Sequence, residues 1–214
     1  MSMERQSEGS GFDDILREFS KMLEDGRHIF DAASNALLGG TDPETIREDL
    51  FRTDRRINET EQRLRRMMVV HGTVRGTQSF PSLLVMMSLA KDAERIGDYA
   101  KNVFDLAVLA PDFGSEENRQ LLIRLKDEVS NVVGRARDVH DAQDAEGARS
   151  LLAECDRIQD VCDGNLERSL KGEGQGTVAF ALASRYLKRV AGHAANVATS
   201  LVMPLHKLDF FDES

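Results

Sequence analysis

The sequence predicts an all-α protein built from two tandem three-helix bundles. Apolar residues recur at a spacing near 3.6 along most of the chain, which is the period of an amphipathic helix. Alternating β-branched stretches are almost absent, and the only prolines are Pro43, Pro81, Pro111 and Pro204, all near expected helix boundaries. The third observation is an internal repeat that divides the helices into two sets of three.

Capping residues, glycines and prolines indicate where the helices of the first half of the chain begin and end. The helices are expected at Phe12 to Leu38, at Pro43 to His71 with Thr41 or Asp42 as the cap, and at Ser82 to Leu109. The first presents the apolar stripe Ile15, Phe19, Met22, Leu23, Ile29, Phe30, Ala33 and Leu37. Gly39 and Gly40 stop this helix, Pro43 suits the first turn of the second, and Pro81 opens the third.

The second half gives three further helices in the same way. They are expected from Glu116 to His140 after a Ser115 cap, from Ala145 to Leu170 after an Asp144 cap, and from Thr177 to Met203. The domain division that follows is a disordered tail over residues 1–11, a first repeat over 12–110 and a second repeat over 111–214.

The second repeat resembles the first at a fixed offset. Shifted by 102 residues, the 24 positions from Asp42 to Arg65 contain seven identities, whereas random pairing would give about one or two. The pairs join Asp42, Glu44, Arg47, Leu50, Asp54, Arg55 and Leu64 to Asp144, Glu146, Arg149, Leu152, Asp156, Arg157 and Leu166. At an offset of 94, the third helix matches the sixth at Arg95, Ala100, Asn102, Val103 and Val108. The pattern indicates a duplication, and the longer loop at 72–79 accounts for the change of offset.

Composition excludes several classes of function. A net charge of -9 and a pI near 5.1 argue against sequence-independent binding to nucleic acid, which needs many basic residues. The longest nearly apolar stretch, 83–90, is far too short to span a bilayer, and the N-terminal residues lack the apolar core of a secretory signal. We therefore expect a cytoplasmic protein that meets the membrane only through protein partners. Cys155 and Cys162 lie too far apart along one helix for a disulfide, so reduced thiols are expected.

Two rows of acidic and amide side chains are the strongest candidate site. Residues four apart share a helix face, so Glu94, Asp98 and Asn102 form one row. Asp54, Asn58 and Glu61 form a similar row on the second helix. Rows on adjacent helices can converge on a hard cation through their oxygen atoms. The alternative is that these are ordinary solvated acids, and in either case the apolar stripe around Ile96 should place the Glu94 row near the surface.

The same segments resemble the PhoU domain family. Residues 92–104 (DAERIGDYAKNVF) are similar to the third-helix signature of that domain, whose core is E-R-I-G-D-H/Y-A-x-N. Residues 54–61 (DRRINETE) are similar to its second-helix segment, D-x-x-I-N-x-x-E. Because the family is built from two three-helix repeats, the resemblance extends over nearly the whole chain.

The resemblance implies metal sites on the bundle surface. In the first repeat the implied ligands are Asp54, Asn58, Glu94 and Asp98, with Glu61 and Asn102 in the same rows, and the implied metal is Fe, Mn, Mg or Zn. In the second repeat Asp156, Asp160 and Asp163 follow the pattern. Lys188 and Gly192 stand where Glu94 and Asp98 stand in the first repeat, so the second site is expected to be degenerate.

The resemblance also implies a function. Proteins of this family are non-enzymatic regulators that link a phosphate ABC transporter of the Pst type to a sensor histidine kinase. A different membrane transporter is an alternative partner. A carboxylate-bridged metalloenzyme of the helical-bundle type is the alternative from another class, but it needs E-x-x-H pairs and this sequence contains none. The sequence leaves open whether the protein forms a homodimer.

Two further features have competing interpretations. The arginines of the second helix form either a solvated face paired with nearby acids or a docking surface for an acidic partner, with Arg55, Arg56, Arg63 and Arg66 as the candidates. His193 occupies the place of the histidine in the family signature, and a structural role near the interface of the repeats is favoured over catalysis.

Overall fold

A computed structural model describes residues 3–173 and 176–208 of the chain, with side chains from Gly11 onward. Six helices and no strand lie within these ranges. They are α1 Met3–Leu38, α2 Pro43–Arg75, α3 Phe80–Val108, α4 Glu116–Ala142, α5 Ala145–Leu170 and α6 Val178–Thr199. Two short 3-10 turns lie at Thr77–Ser79 and Leu205–Lys207. Residues 1–2 of the predicted tail and 209–214 of the second repeat lie outside the described residues.

Side-chain caps begin four of the helices. Asp42 accepts from Glu44 N, Ser115 from Asn118 N, Asp144 from Glu146 N and Gly147 N, and Thr177 from Phe180 N. These bonds satisfy backbone donors that have no partner within the helix. The caps predicted at Ser115 and Asp144 are confirmed, and Asp42 rather than Thr41 caps α2.

Three helix ends differ from those predicted. α1 starts at Met3 instead of Phe12, so the predicted tail is helical from Met3, because extending a formed helix costs far less than nucleating one. α2 runs through Gly72 and breaks at Gly76, whose φ of 78° is left-handed. α6 ends at Thr199 rather than Met203, shortly before Pro204, which disfavours helical geometry in the residue that precedes it.

The helices pack as two three-helix bundles side by side. α1, α2 and α3 contact one another in the first, and α4, α5 and α6 do so in the second. The bundles meet through α3 against α6 and α1 against α4, and one continuous apolar core runs through both. The predicted fold, an all-α pair of three-helix repeats, is confirmed.

The third helix of the first bundle approaches its neighbours closely. A Cβ at Gly97 would lie 3.2 Å from the side chain of Ile57 on α2 and 3.6 Å from that of Ile29 on α1. The glycine thus lets α3 sit close enough to bring polar side chains of α2 and α3 together. Among the described residues, none of the helices has an apolar stretch of the length needed to cross a membrane.

We predict that Cys155 and Cys162 are inert in the folded protein. Both thiols are free and buried, and burial raises the pKa of each to about 12, so both are protonated and uncharged at neutral pH. A thiol-reactive chromogenic disulfide at pH 8 should modify neither residue in buffer and both in 6 M guanidinium chloride. Rapid modification of the native protein at either cysteine would contradict this burial.

Candidate carboxylate site

The site lies between the antiparallel helices α2 and α3, where Lys101 joins their two acidic rows. Lys101 Nζ lies 2.9 Å from Asp54 Oδ1 on α2 and 3.1 Å from Asp98 Oδ1 on α3. Burial lowers the pKa of Lys101, but the hydrogen bonds to Asp54 and Asp98 outweigh this effect and leave that pKa raised. The side chain therefore carries a positive charge at neutral pH.

The other carboxylates of the rows also have basic partners. Asp98 Oδ2 accepts from Arg95 at 3.2 Å, and Glu94 Oε2 lies 2.7 Å from Lys91 Nζ. Glu61 accepts from Arg65 at 2.6 Å. Four carboxylates, at Asp54, Glu61, Glu94 and Asp98, are thus matched by four bases, at Arg65, Lys91, Arg95 and Lys101. The rows are close to electrically neutral without any additional cation.

The rows are less exposed than the sequence predicts. Asp54 and Glu94 are 9% exposed and Glu61 is 7% exposed, so the expected surface position is wrong for Glu94, whereas Asp98 and Asn102 of the same row are partly exposed. The close approach of α3 to α2 at Gly97 covers the carboxylates, and long basic side chains extend over them. Buried carboxylates need a paired charge, and this requirement explains why each has a base beside it.

The predicted metal ligands do not fit a metal ion as they are arranged. Asn58 Nδ2 lies 3.5 Å from Asp54 Oδ2, so its amide lies beside the acid of its own helix. Lys101 already lies between Asp54 and Asp98. Asn102, half-buried, lies one turn beyond Asp98 and has no role in these contacts. Among the residues that the structure describes, no three His, Cys, Asp or Glu side chains are grouped to hold a metal. Metal binding itself stays a prediction.

The second repeat also joins its second and third helices through a lysine. Lys188 on α6 donates to Asp163 on α5, so this lysine neutralises a member of the predicted row. A Cβ at Gly192 would lie 3.4 Å from Gln159 Oε1, so an amide occupies the space beside the glycine. Asp160 is exposed and Asp156 is half-buried. These contacts agree with a degenerate second site, which also stays a prediction.

The interface between the repeats contains a polar cluster that was not predicted. Asp92 on α3 is 6% exposed, and its Oδ1 lies 2.9 Å from both His193 Nδ1 and Asn196 Nδ2 of α6. The ring of Tyr99 stacks on that of His193 with centroids 5.7 Å apart. The structural role favoured for His193 agrees with this position. Asp92 could have been suspected, because a carboxylate among the apolar residues of α3 must find a donor.

Two of the four candidate docking arginines pair with acids of α1. Arg56 donates to Asp25 with Nε at 2.7 Å, and Arg63 pairs with Glu18. Within the described residues, Arg55 and Arg66 are exposed and form no ion pair. The competing interpretation, a face paired with acids, holds within α2 for Arg52 with Asp49 and for Arg65 with Glu61, whereas Arg56 and Arg63 find their acids on α1.

An exposed apolar surface lies where α2 ends and α3 begins, and we call it the end patch. Its members are Val69, Val70, Val74, Phe80 and Leu84, which are between 47% and 73% exposed. Val70 and Val74 line a groove of about 460 Å³ together with Arg66 and His71, and Val69, Phe80 and Leu84 line a separate groove of about 160 Å³. Clustered apolar side chains beside a charged rim are typical of a surface that binds another macromolecule.

The fold and the site define a class of protein: a two-repeat helical scaffold whose buried carboxylates have basic partners within the chain. Residues 19–107 match the PhoU domain, which is nearly all of the first repeat. The first repeat is therefore a PhoU domain, and the family resemblance of the sequence is confirmed.

Solved structures extend the comparison to both repeats. PhoU from Pseudomonas aeruginosa has a TM-score of 0.77 and 21% identity, over 92% of this chain and 98% of that one. The phosphate transport system regulatory protein PhoU from Streptococcus pneumoniae has a TM-score of 0.69 and 19% identity, over 91% of this chain and 96% of that one. The chain has the fold of these two-repeat proteins over nearly its whole length. No curated protein sequence matches it significantly.

We predict that Asp92 stabilises the contact between the repeats. Replacing Asp92 with Ala leaves His193 and Asn196 without their acceptor, and a buried polar group without a partner costs about 1–3 kcal/mol. Urea unfolding should show this loss in the free energy of unfolding. Asp105→Ala is the matched control, since Asp105 is exposed on the same helix. Equal stability of the two variants would exclude a stabilising role for the cluster.

Proposed function

We propose that this protein is a non-enzymatic regulator of phosphate uptake and of phosphate-starvation signalling. The match of residues 19–107 to the PhoU domain is the observation that carries the proposal. The shared fold with a protein described as a phosphate transport system regulatory protein supports it. In this proposal the chain acts in the cytoplasm as an adaptor between a phosphate ABC transporter and a sensor histidine kinase.

A helical regulator of this kind would act by binding to other proteins. The carboxylates of the candidate site have bases as partners and the polar cluster joins the repeats, so both features serve the fold. The end patch is different, because its apolar side chains and Arg66 face outward. We assign it to the transporter, with an acidic and apolar segment as the complementary surface.

Bound metal is not part of this proposal. Lys101 lies between Asp54 and Asp98, and Glu61 and Glu94 have bases beside them, so a cation would compete with a positive charge at each of these carboxylates. The alternative of a carboxylate-bridged metalloenzyme requires four helices that face a common interior site. Each repeat here has three helices around an apolar core.

Deletion of the gene should derepress phosphate-starvation genes when phosphate is plentiful. A regulator that holds the kinase in its inactive state is lost in that strain, so a phosphate-responsive reporter should rise several-fold at millimolar phosphate, and the wild-type gene should reverse the change. Ordinary reporter activity together with ordinary phosphate uptake in the deletion strain would overturn the proposed function.

Arg66→Glu should weaken binding to the transporter without affecting folding. The substitution reverses the charge on the rim of the end patch, while exposed substitutions usually change stability by only about 0.5 kcal/mol. Co-purification with membranes that contain the transporter measures binding, and circular dichroism measures folding. Arg124→Glu, an exposed arginine of α4, is the control. Equal binding by the two variants would remove the end patch from the proposal.

A further inference from the structure

We propose that the ammonium group of Lys101 takes the place of a metal cation between α2 and α3, so that the first repeat holds its two acidic rows together without any metal. The group is tethered to α3, reaches Asp54 on α2, and contacts Asp98 on its own helix. It thus provides the link between helices that a bridging cation would otherwise provide.

The partial burial of Lys101 distinguishes this link from an ion pair on the open surface. Its side chain is 26% exposed, and those of Asp54 and Asp98 are 13% and 29% exposed, so the three charges are partly shielded from water. Charges in such surroundings interact more strongly than charges on an open surface. Lys91, by contrast, is 42% exposed, and within the described part of the chain its ion pair is with Glu94 of its own helix, so it neutralises a charge without joining two helices.

The carboxylate oxygens of Asp98 already have basic partners, which favours the lysine over a divalent ion at this place. Asp98 uses one oxygen for Lys101 and the other for Arg95. A metal at this place would have to displace both bases, and their positive charges would remain close to it. An ammonium group needs no such displacement, and its three donors suit the two acceptors that it contacts.

The second repeat supports the same conclusion with a lysine at a different place. When the repeats are aligned, Lys188 falls on Glu94, seven residues and so about two helical turns from Lys101. Lys188 still reaches the preceding helix of its own repeat, through Asp163. Ala195 aligns with Lys101. Each repeat thus has a lysine that links its second and third helices, but the two lysines lie at different turns of the third helix.

Lys101→Met tests the proposal on the purified protein, independently of any role in phosphate regulation. The parent protein should contain far less than one metal ion per chain by mass spectrometry, and EDTA should not change its melting temperature. Lys101→Met should melt about 2–6 °C lower, because two carboxylates are left without their shared cation. Lys91→Met should change the melting temperature by less than that, and Lys101→Arg should restore most of the loss.

Added Mn²⁺ distinguishes a replaced cation from an ordinary ion pair. One millimolar Mn²⁺ should raise the melting temperature of Lys101→Met by about 2 °C or more and leave that of the parent unchanged, since the variant exposes Asp54 and Asp98 to the solution. Three results would overturn the proposal. These are a parent protein that holds a full equivalent of metal and loses stability in EDTA, a Lys101→Met variant as stable as the parent, and a variant that does not respond to Mn²⁺.

Discussion

The double burial of α3 and α6 is the constraint on which the rest of this structure depends. Each of these helices packs inside its own bundle and against the other across the interface of the repeats. Helices buried on two sides need small residues where they approach their neighbours. Both carry them, with Ala90, Ala93, Gly97 and Ala100 buried in α3 and Ala183, Ala191, Ala194 and Ala198 buried in α6. The outer helices α2 and α5 are free to be more polar, because the main contacts of their described residues are within their own bundle.

This packing also decides where charge can lie. α3 comes close to α2 at Gly97, so the acids on either side of that contact are removed from water and must be paired. Asp92 is buried against α6 for the same reason and takes two donors from it. The two polar clusters of the first repeat are therefore consequences of one close-packed helix, and each joins it to a different neighbour.

The fold was largely accessible from the sequence, because its signals are local. Ser115 and Asp144 precede apolar periodic segments, and the duplication is visible from residue identities alone. The ends of α1 and α6 were missed, since helix elongation and the effect of a following proline extend or shorten a helix without altering its apolar pattern. Tertiary packing decides such ends.

Only part of the candidate site could be predicted from the sequence. Spacing placed Glu94 and Asp98 in one row and Asp54 in another, and the structure brings Asp54 and Asp98 to the same ammonium group. The sequence could not show which cation reaches both, because Lys101 is one of several bases near the rows and its reach depends on the separation of the helices. It also could not show that Arg56 and Arg63 turn to α1, which lies far away along the chain.

Comparing the two repeats shows which contacts between the second and third helices are shared and which differ. In both, the third helix packs against the second, but the charged contacts between them differ. Lys101 reaches Asp54 in the first repeat, whereas Lys188 reaches Asp163 in the second. The helix packing is thus retained while the charged side chains on it differ. Because a lysine links the helices in each repeat but from different turns, the backbone arrangement does not depend on one fixed ligand position. What the arrangement requires is a positive charge that reaches from the third helix to an acid of the second, and a side chain of the chain itself meets that requirement in both repeats.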